Sequence, residues 1–150
     1  MTSPSRIREK EMWKPVPDDS GILASSWGRI LFPTYHMPNA NGSGYRTVKT
    51  EPTFGYMGRG HAGAKHCYRA TYSRKLGNLK VHQLVCAAFH GPKPFDKAVV
   101  IHLDEDGQNN RPENLKWGTQ KENLNSPKFI EYCKSRTGAD SPRTKWAAAA

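Results

Sequence analysis

The sequence predicts an α+β fold: a β-rich N-terminal half followed by a compact strand–strand–helix unit. Three observations predict it. Before residue 80 the chain offers only short β-prone runs, separated by Gly, Pro and Asn. At Val81 the apolar period becomes helical. Beyond residue 97, "AVVI", "DEDG", "NLKWGT" and "TQKE" read in order as strand, turn, strand and helix start.

Each element has its own signal. Residues 1–20 are polar, contain Pro15 and Pro17, and read as an arm. "GILASSWGRIL" suits a short hairpin that turns at Ser25-Ser26-Trp27-Gly28, with Arg29 leaving the turn. Residues 33–44 and 51–65 are loop by composition, and "YRTVKT" between them is a strand. Arg46 and Lys49 fall on its opposite faces if it is regular. "HCYRATYSRK" is a second strand, and "GN" at 77–78 is the turn that follows it. In "VHQLVCAAFHG", Val81, Leu84, Val85, Ala88 and Phe89 share one helical face, and Gly91-Pro92 ends the run. Thr119 and Glu122 form a T-x-x-E capping box, which starts a helix at about 120. Ser126-Pro127 starts another, which Gly138 closes. The divisions are therefore 1–20 arm, 21–80 β-rich region, 81–138 strand–strand–helix unit with flanking helices, and 139–150 polar tail. The terminal "WAAAA" reads as an appended scar and carries no weight.

The totals narrow the function. The 150 residues hold 23 Lys+Arg against 13 Asp+Glu, a formal charge of +10. An anionic partner follows, with nucleic acid first and a merely solvated basic face as the alternative. At 36% hydrophobic, with 11 Pro and 13 Gly, the chain predicts a thin core whose ordering depends partly on a partner. Cys67, Cys86 and Cys133 form no C-x-x-C pair, so a zinc knuckle is not expected. The N-terminus has no signal-peptide core and no apolar run reaches membrane-spanning length. The expectation is a cytoplasmic protein with free thiols and no membrane partner.

The chemistry-bearing stretch is "VVIHLDEDGQNNRPENLKWGTQKEN". His102 ends the first strand, Asn114 precedes the second, and Asn123 lies about one turn into the helix. Folding the hairpin over the helix brings His102 and Asn123 to one cleft. Cutting a phosphodiester needs a water deprotonated near neutral pH, which imidazole can do. It also needs charge neutralised on the phosphate by a divalent cation, for which an amide oxygen is an acceptable ligand. A loop asparagine can fix the histidine by a hydrogen bond. By composition alone the alternative is respectable: asparagines form turns, and a histidine beside a strand is more often structural.

"VHQLVCAAF" followed by "IHLDEDGQNNRPENLKWGTQKEN" resembles the HNH endonucleases of phages and introns, the homing type. In that family a helix like V-H-R-L-V precedes a stretch like D-H-x-D-G-x-x-x-N-N-x-x-x-N-L-x-W. The similarity covers Val81 to Asn125. "GILASSWGRIL" is similar to the short S-N-x-G-R-V module that often precedes the nuclease. The resemblance implies a ββα-metal nuclease unit using Mg²⁺ or Mn²⁺, with His102 as general base, Asn114 as the loop-fixing residue and Asn123 as a metal ligand. One position departs. Many relatives carry an Asp ligand just before the histidine, where this chain has Ile101. Asp104 is the first substitute, since it shares His102's side if the strand persists. Asp106 is better explained by its turn. His82 supports the site or is simply a core histidine.

The resemblance further implies duplex DNA as substrate, a host-cell cytoplasm if phage-encoded, and a homodimer if both strands are cut. Phosphate contacts would come from Arg29, Arg46, Lys49, Arg69, Arg74, Lys75 and Lys80, with Arg59 and Lys65, interleaved with Tyr45, Tyr56, Tyr68 and Tyr72. Lys128, Lys134 and Arg136 would add backbone contacts. The rivals are an HNH-shaped DNA-binding protein weakened by Ile101, and a basic RNA-binding protein with a structural hairpin.

Overall fold

The computed structural model describes residues 9–18, 20–58 and 68–137. Strands β1 (Trp13–Pro15), β2 (Leu23–Ser25) and β3 (Ile30–Leu31) form an antiparallel sheet in the order β1-β2-β3. The β2–β3 turn lies where the sequence predicts it: Gly28 N donates to Ser25 O at 3.0 Å, and Arg29 N donates to Ser25 Oγ at 2.9 Å.

The arm reading of 1–20 is corrected at its end, where Trp13 pairs with Ser25 and Val16 enters the core. Proline lacks an N–H, but β1 is an edge strand and tolerates it. The loop reading of 33–44 is also corrected. Tyr35–Pro38 is β4, paired with β5 (Tyr45–Val48), and "NANGSG" is their connection. Within 51–58, Thr53 bridges Ile30 and Tyr56–Met57 is β6. It adds to β7 (Arg69–Ser73) and β8 (Gly77–Lys80). The turn predicted at 77–78 sits earlier, at Arg74-Lys75-Leu76, and Gly77 opens β8 with φ +77°. Glycine serves there because it reaches the left-handed region at no steric cost.

Helix α1 (Val81–His90) ends at Gly91 and buries Val81, His82, Leu84, Val85 and Cys86. Strand β9 (Val99–His102), a 3-10 turn (Pro112–Asn114), β10 (Leu115–Gly118), α2 (Gln120–Leu124) and α3 (Pro127–Thr137) follow. Strands β9 and β10 pair antiparallel, with His102 opposite Leu115. The predicted helix end at Gly138 and the tail lie outside the described residues.

One core joins the two halves. Val16, Ile22, Ala24 and Ile30 from the N-terminal sheet meet Val81, Leu84, Val85 and Cys86 of α1, and these meet Val100 and Leu115 of the hairpin. Helix α1 is the shared wall, contacting β2 on one side and β10 on another. Its C-terminal end is tied to the hairpin: Trp117 Nε1 donates to Gly91 O at 3.0 Å, and His90 Nε2 lies 2.7 Å from Pro112 O. The core is thin, as expected. Each fully buried aliphatic, such as Ile22, Ile30 or Leu115, contributes roughly 1.5–3 kcal/mol by leaving water. Cys86 and Cys133 are free thiols, and burial pushes Cys86 up to about 12.

Candidate active site

The loop between β9 and β10 is built around buried Asn114. Its Oδ1 accepts from Asp104 N at 2.9 Å, and its Nδ2 donates to Asp104 Oδ1 and Asn109 O, each at 2.8 Å. One side chain therefore ties both ends of the loop. Asp104 is the second knot. Its Oδ1 also accepts from Asp106 N at 2.8 Å, and its Oδ2 accepts from Asn109 Nδ2 at 2.7 Å. Burial acts to raise its pKa, but the hydrogen bonds from Asn109, Asp106 and Asn114, with His102 nearby, outweigh it and hold the carboxyl below its ordinary value.

This corrects the expectation for Asp104 as substitute metal ligand. Sharing His102's side required the strand to persist, and β9 ends at His102 with a turn beginning at Leu103. Asp104 turns into the loop, and both its oxygens are taken by loop donors. Asp106 is likewise absorbed in its turn, where it accepts from Gln108 N at 3.0 Å.

His102 is held by a residue that the spacing did not single out. Its Nε2 lies 3.0 Å from Asn110 Oδ1 in a buried contact. An amide oxygen only accepts, so in this arrangement Nε2–H is the donor, which leaves Nδ1 as the ring nitrogen not engaged by Asn110. The ring is 8% exposed, yet it forms part of a cleft wall. Behind it, the His82 ring meets His102 edge-on at 5.3 Å between centroids, and Tyr68 stacks on His102 at 5.8 Å. His82 is thus in contact with His102, as support would require. Burial first, then the neighbouring His102 and Lys80, push His82 down to about 3. It stays neutral.

The cleft holds about 260 Å³. His102, Asn123, Ile101, Glu105, Lys128 and Tyr68 are among its lining residues. The two distant residues therefore share one space. Asn123 arrives there on α2, which the predicted capping box starts: Glu122 N donates to Thr119 Oγ1 at 3.2 Å, and Thr119 N donates to Glu122 Oε2 at 2.7 Å. Helix α3 starts at Ser126, whose Oγ accepts from Phe129 N at 3.3 Å. Glu105, which lines the cleft, is a second residue that the sequence reading missed. Its signal was a Glu where the resembling motif has Gly. The oxygen donors of the cleft include the Asn123 amide and the Glu105 carboxylate, the hard type that suits Mg²⁺ or Mn²⁺. Among the described residues no cluster of three or more His, Cys, Asp or Glu gathers, so any ion here depends on water and substrate oxygens for the rest of its shell.

The expected DNA-contacting residues divide. Arg46, Lys49 and Lys75 are exposed and form no ion pair among the described residues. Lys80 directs its ammonium over Tyr68 at 5.9 Å, next to the histidine pair. Arg74 stacks over Tyr35 at 5.3 Å, and Arg69 donates to Gly55 O at 3.4 Å. Arg29 corrects its expectation. Its guanidinium is bound by both oxygens of Glu11 and packed among Trp13, Trp27 and Phe54. That hydrogen-bonded pairing lowers the Glu11 pKa and raises that of Arg29. Arg59 and Lys65, and the side chain of Arg136, lie outside what is described.

Residues 79–125 match the family model described as HNH endonuclease. This segment of the chain is similar to the HNH endonucleases. The matched segment is the unit just built, from the end of β8 to the residue after α2. An uncharacterized HNH endonuclease of Acanthamoeba polyphaga mimivirus is 28% identical over 127 residues, covering 83% of this chain and 28% of that protein. The chain thus spans little more than a quarter of that relative's length. A solved structure, of DNA binding and cleavage by the HNH homing endonuclease I-HmuI, matches with a TM-score of 0.44 at 20% identity. That match covers 92% of this chain and 66% of the other. No helix among the described residues is long and apolar enough to cross a membrane.

Proposed function

We propose that this chain belongs to the HNH endonuclease family and is a metal-dependent endonuclease of the phage or intron homing type that hydrolyses phosphodiester bonds of double-stranded DNA. One observation carries the reading: His102, with Nε2–H spent on Asn110, lines the same cleft as Asn123. His102 Nδ1 takes the proton of a water that attacks phosphorus in line with the leaving 3′ oxygen. Asn110 keeps the imidazole in the tautomer that can do this. Tyr68 and neutral His82 hold its plane. Asn123 would hold a divalent cation through its amide oxygen. When bound, that cation neutralises charge building on the phosphate and the leaving oxygen. Asn114 acts at one remove, by keeping the loop that presents Asn110 in shape. Exposed Lys75, Lys80, Arg46 and Lys49 supply contacts to the duplex backbone. Two copies acting as a homodimer would cut both strands.

Ile101 and the committed Asp104 favour one rival, a DNA-binding protein of this shape that no longer cuts. Supercoiled plasmid with Mg²⁺ or Mn²⁺ decides between them. Nicking by the wild type that disappears in His102→Ala is the expected result. Tight binding with the plasmid left supercoiled would establish the rival. Stronger binding to RNA than to duplex DNA would favour the RNA-binding alternative.

A further inference from the structure

We propose that Glu105 supplies the carboxylate ligand which the resembling motif places at the position of Ile101. This rests on the metal-dependent reading above and deepens it.

The site lacks a charged ligand in the expected place. Ile101 has a hydrocarbon side chain and packs on Gly118, where a Cβ would come within 2.5 Å of Ile101 Cδ1. Asp104 is turned into the loop, accepting from Asp106 N, Asn109 Nδ2 and Asn114 Nδ2, and is not among the residues that line the cleft. Glu105 is the remaining acidic residue that lines the cleft with His102 and Asn123.

Its backbone is unusual. Glu105 has φ 59°, the one non-glycine residue with positive φ among those described. The resembling H-x-D-G stretch has glycine at this position, as the geometry prefers. Placing a β-carbon there strains the backbone. A side chain kept at a strained position beside a functional cleft points to use of that side chain.

The carboxylate is also aimed. Lys128 N donates to Glu105 Oε1 at 3.1 Å, and the Lys128 ammonium stands 4.0 Å from Oε2. Two carboxylate oxygens offer about four acceptor sites, so a cation can still bind. Glu105 and Asn123 would then give an ion one anionic and one neutral oxygen ligand from this chain, with the Lys128 backbone N–H holding Oε1 and an arriving cation displacing the Lys128 ammonium from Oε2.

The competing role is purely structural, with Glu105 only pairing Lys128 and capping the start of α3. Mn²⁺ titration of the full chain without DNA, with free Mn²⁺ followed by electron paramagnetic resonance, separates the two. We expect the wild type to bind Mn²⁺, and Glu105→Gln and Asn123→Ala each to weaken it by about tenfold or more. Gln can still accept from Lys128 N, so thermal scans should show both variants folded. If Glu105→Gln binds Mn²⁺ like the wild type while Asn123→Ala does not, the Glu105 proposal is overturned and the functional reading stands. If the wild type binds no Mn²⁺, both fall.

Discussion

At the scale of single residues, the most telling group is His82, which the reaction does not use directly. It is 5% exposed and its Nδ1 finds no partner. Burial, with His102 and Lys80 beside it, lowers its pKa from the ordinary 6.5 to about 3. The folded state therefore binds no proton at His82 between those values, whereas the unfolded chain does. Stability from this group is full above pH 6.5 and is lost as pH falls toward 3, at up to about 1.4 kcal/mol per pH unit. Urea unfolding of the wild type and His82→Phe at pH 7, 6 and 5 checks this. The gap between the two should shift in favour of the variant as pH falls. Equal pH dependence would mean that His82 is not kept neutral by burial. His102, Asn114 and Asn123 could be picked from the sequence because their types have distinct chemistry at fixed spacing. Asn110 and Glu105 could not be assigned in that way. Which member of the Asn109-Asn110 pair faces His102, and which acid faces the cleft, depends on where β9 stops.

At the scale of elements, the site hangs on a five-residue helix with no buried residue. Packing against β9 can hold α2 only weakly, so its capping box carries more of the load. Thr119→Ala removes the acceptor for Glu122 N and should cost about 1 kcal/mol. Because Asn123 sits on that helix, nicking should fall further than global stability does. A plasmid assay beside a thermal scan measures both, and unchanged nicking would mean that α2 needs no cap to present Asn123. The cap was legible because it is local: four residues determine it. Strands β4 and β6 were not, since proline- and glycine-rich segments acquire strand character only from the partner they pair with. Pro15 misled for the same reason, because an edge strand excuses what a central one forbids.

At the scale of the whole molecule, a charge of +10 must be divided between binding and folding. Lys80, by the cleft, forms no ion pair among the described residues, whereas Arg29 is spent on Glu11. Lys80→Ala should reduce the slope of log affinity against log salt by about 0.9, as one lost phosphate contact would. Arg29→Ala should lower Tm and leave the slope unchanged. Fluorescence anisotropy on a labelled duplex over a salt series, with a thermal scan, reads both. A changed slope with unchanged Tm for Arg29→Ala would return that residue to the DNA-contacting set. The α+β class and the order of elements were legible at this scale. The common core was not, because the sequence marks which residues are apolar but not which of the two halves they pack against.

The tip of the β2–β3 hairpin has a wider consequence. Gly28, at φ +83°, lies so close to the loop that a Cβ there would come 2.9 Å from Asn110 O. The loop that presents Asn110 to His102 is thus braced by a turn some eighty residues earlier in the chain. The two halves are consequently not independent cassettes. A chimera joined at residue 80 would inherit a foreign brace, and must carry that small turn along or forfeit the alignment of the histidine.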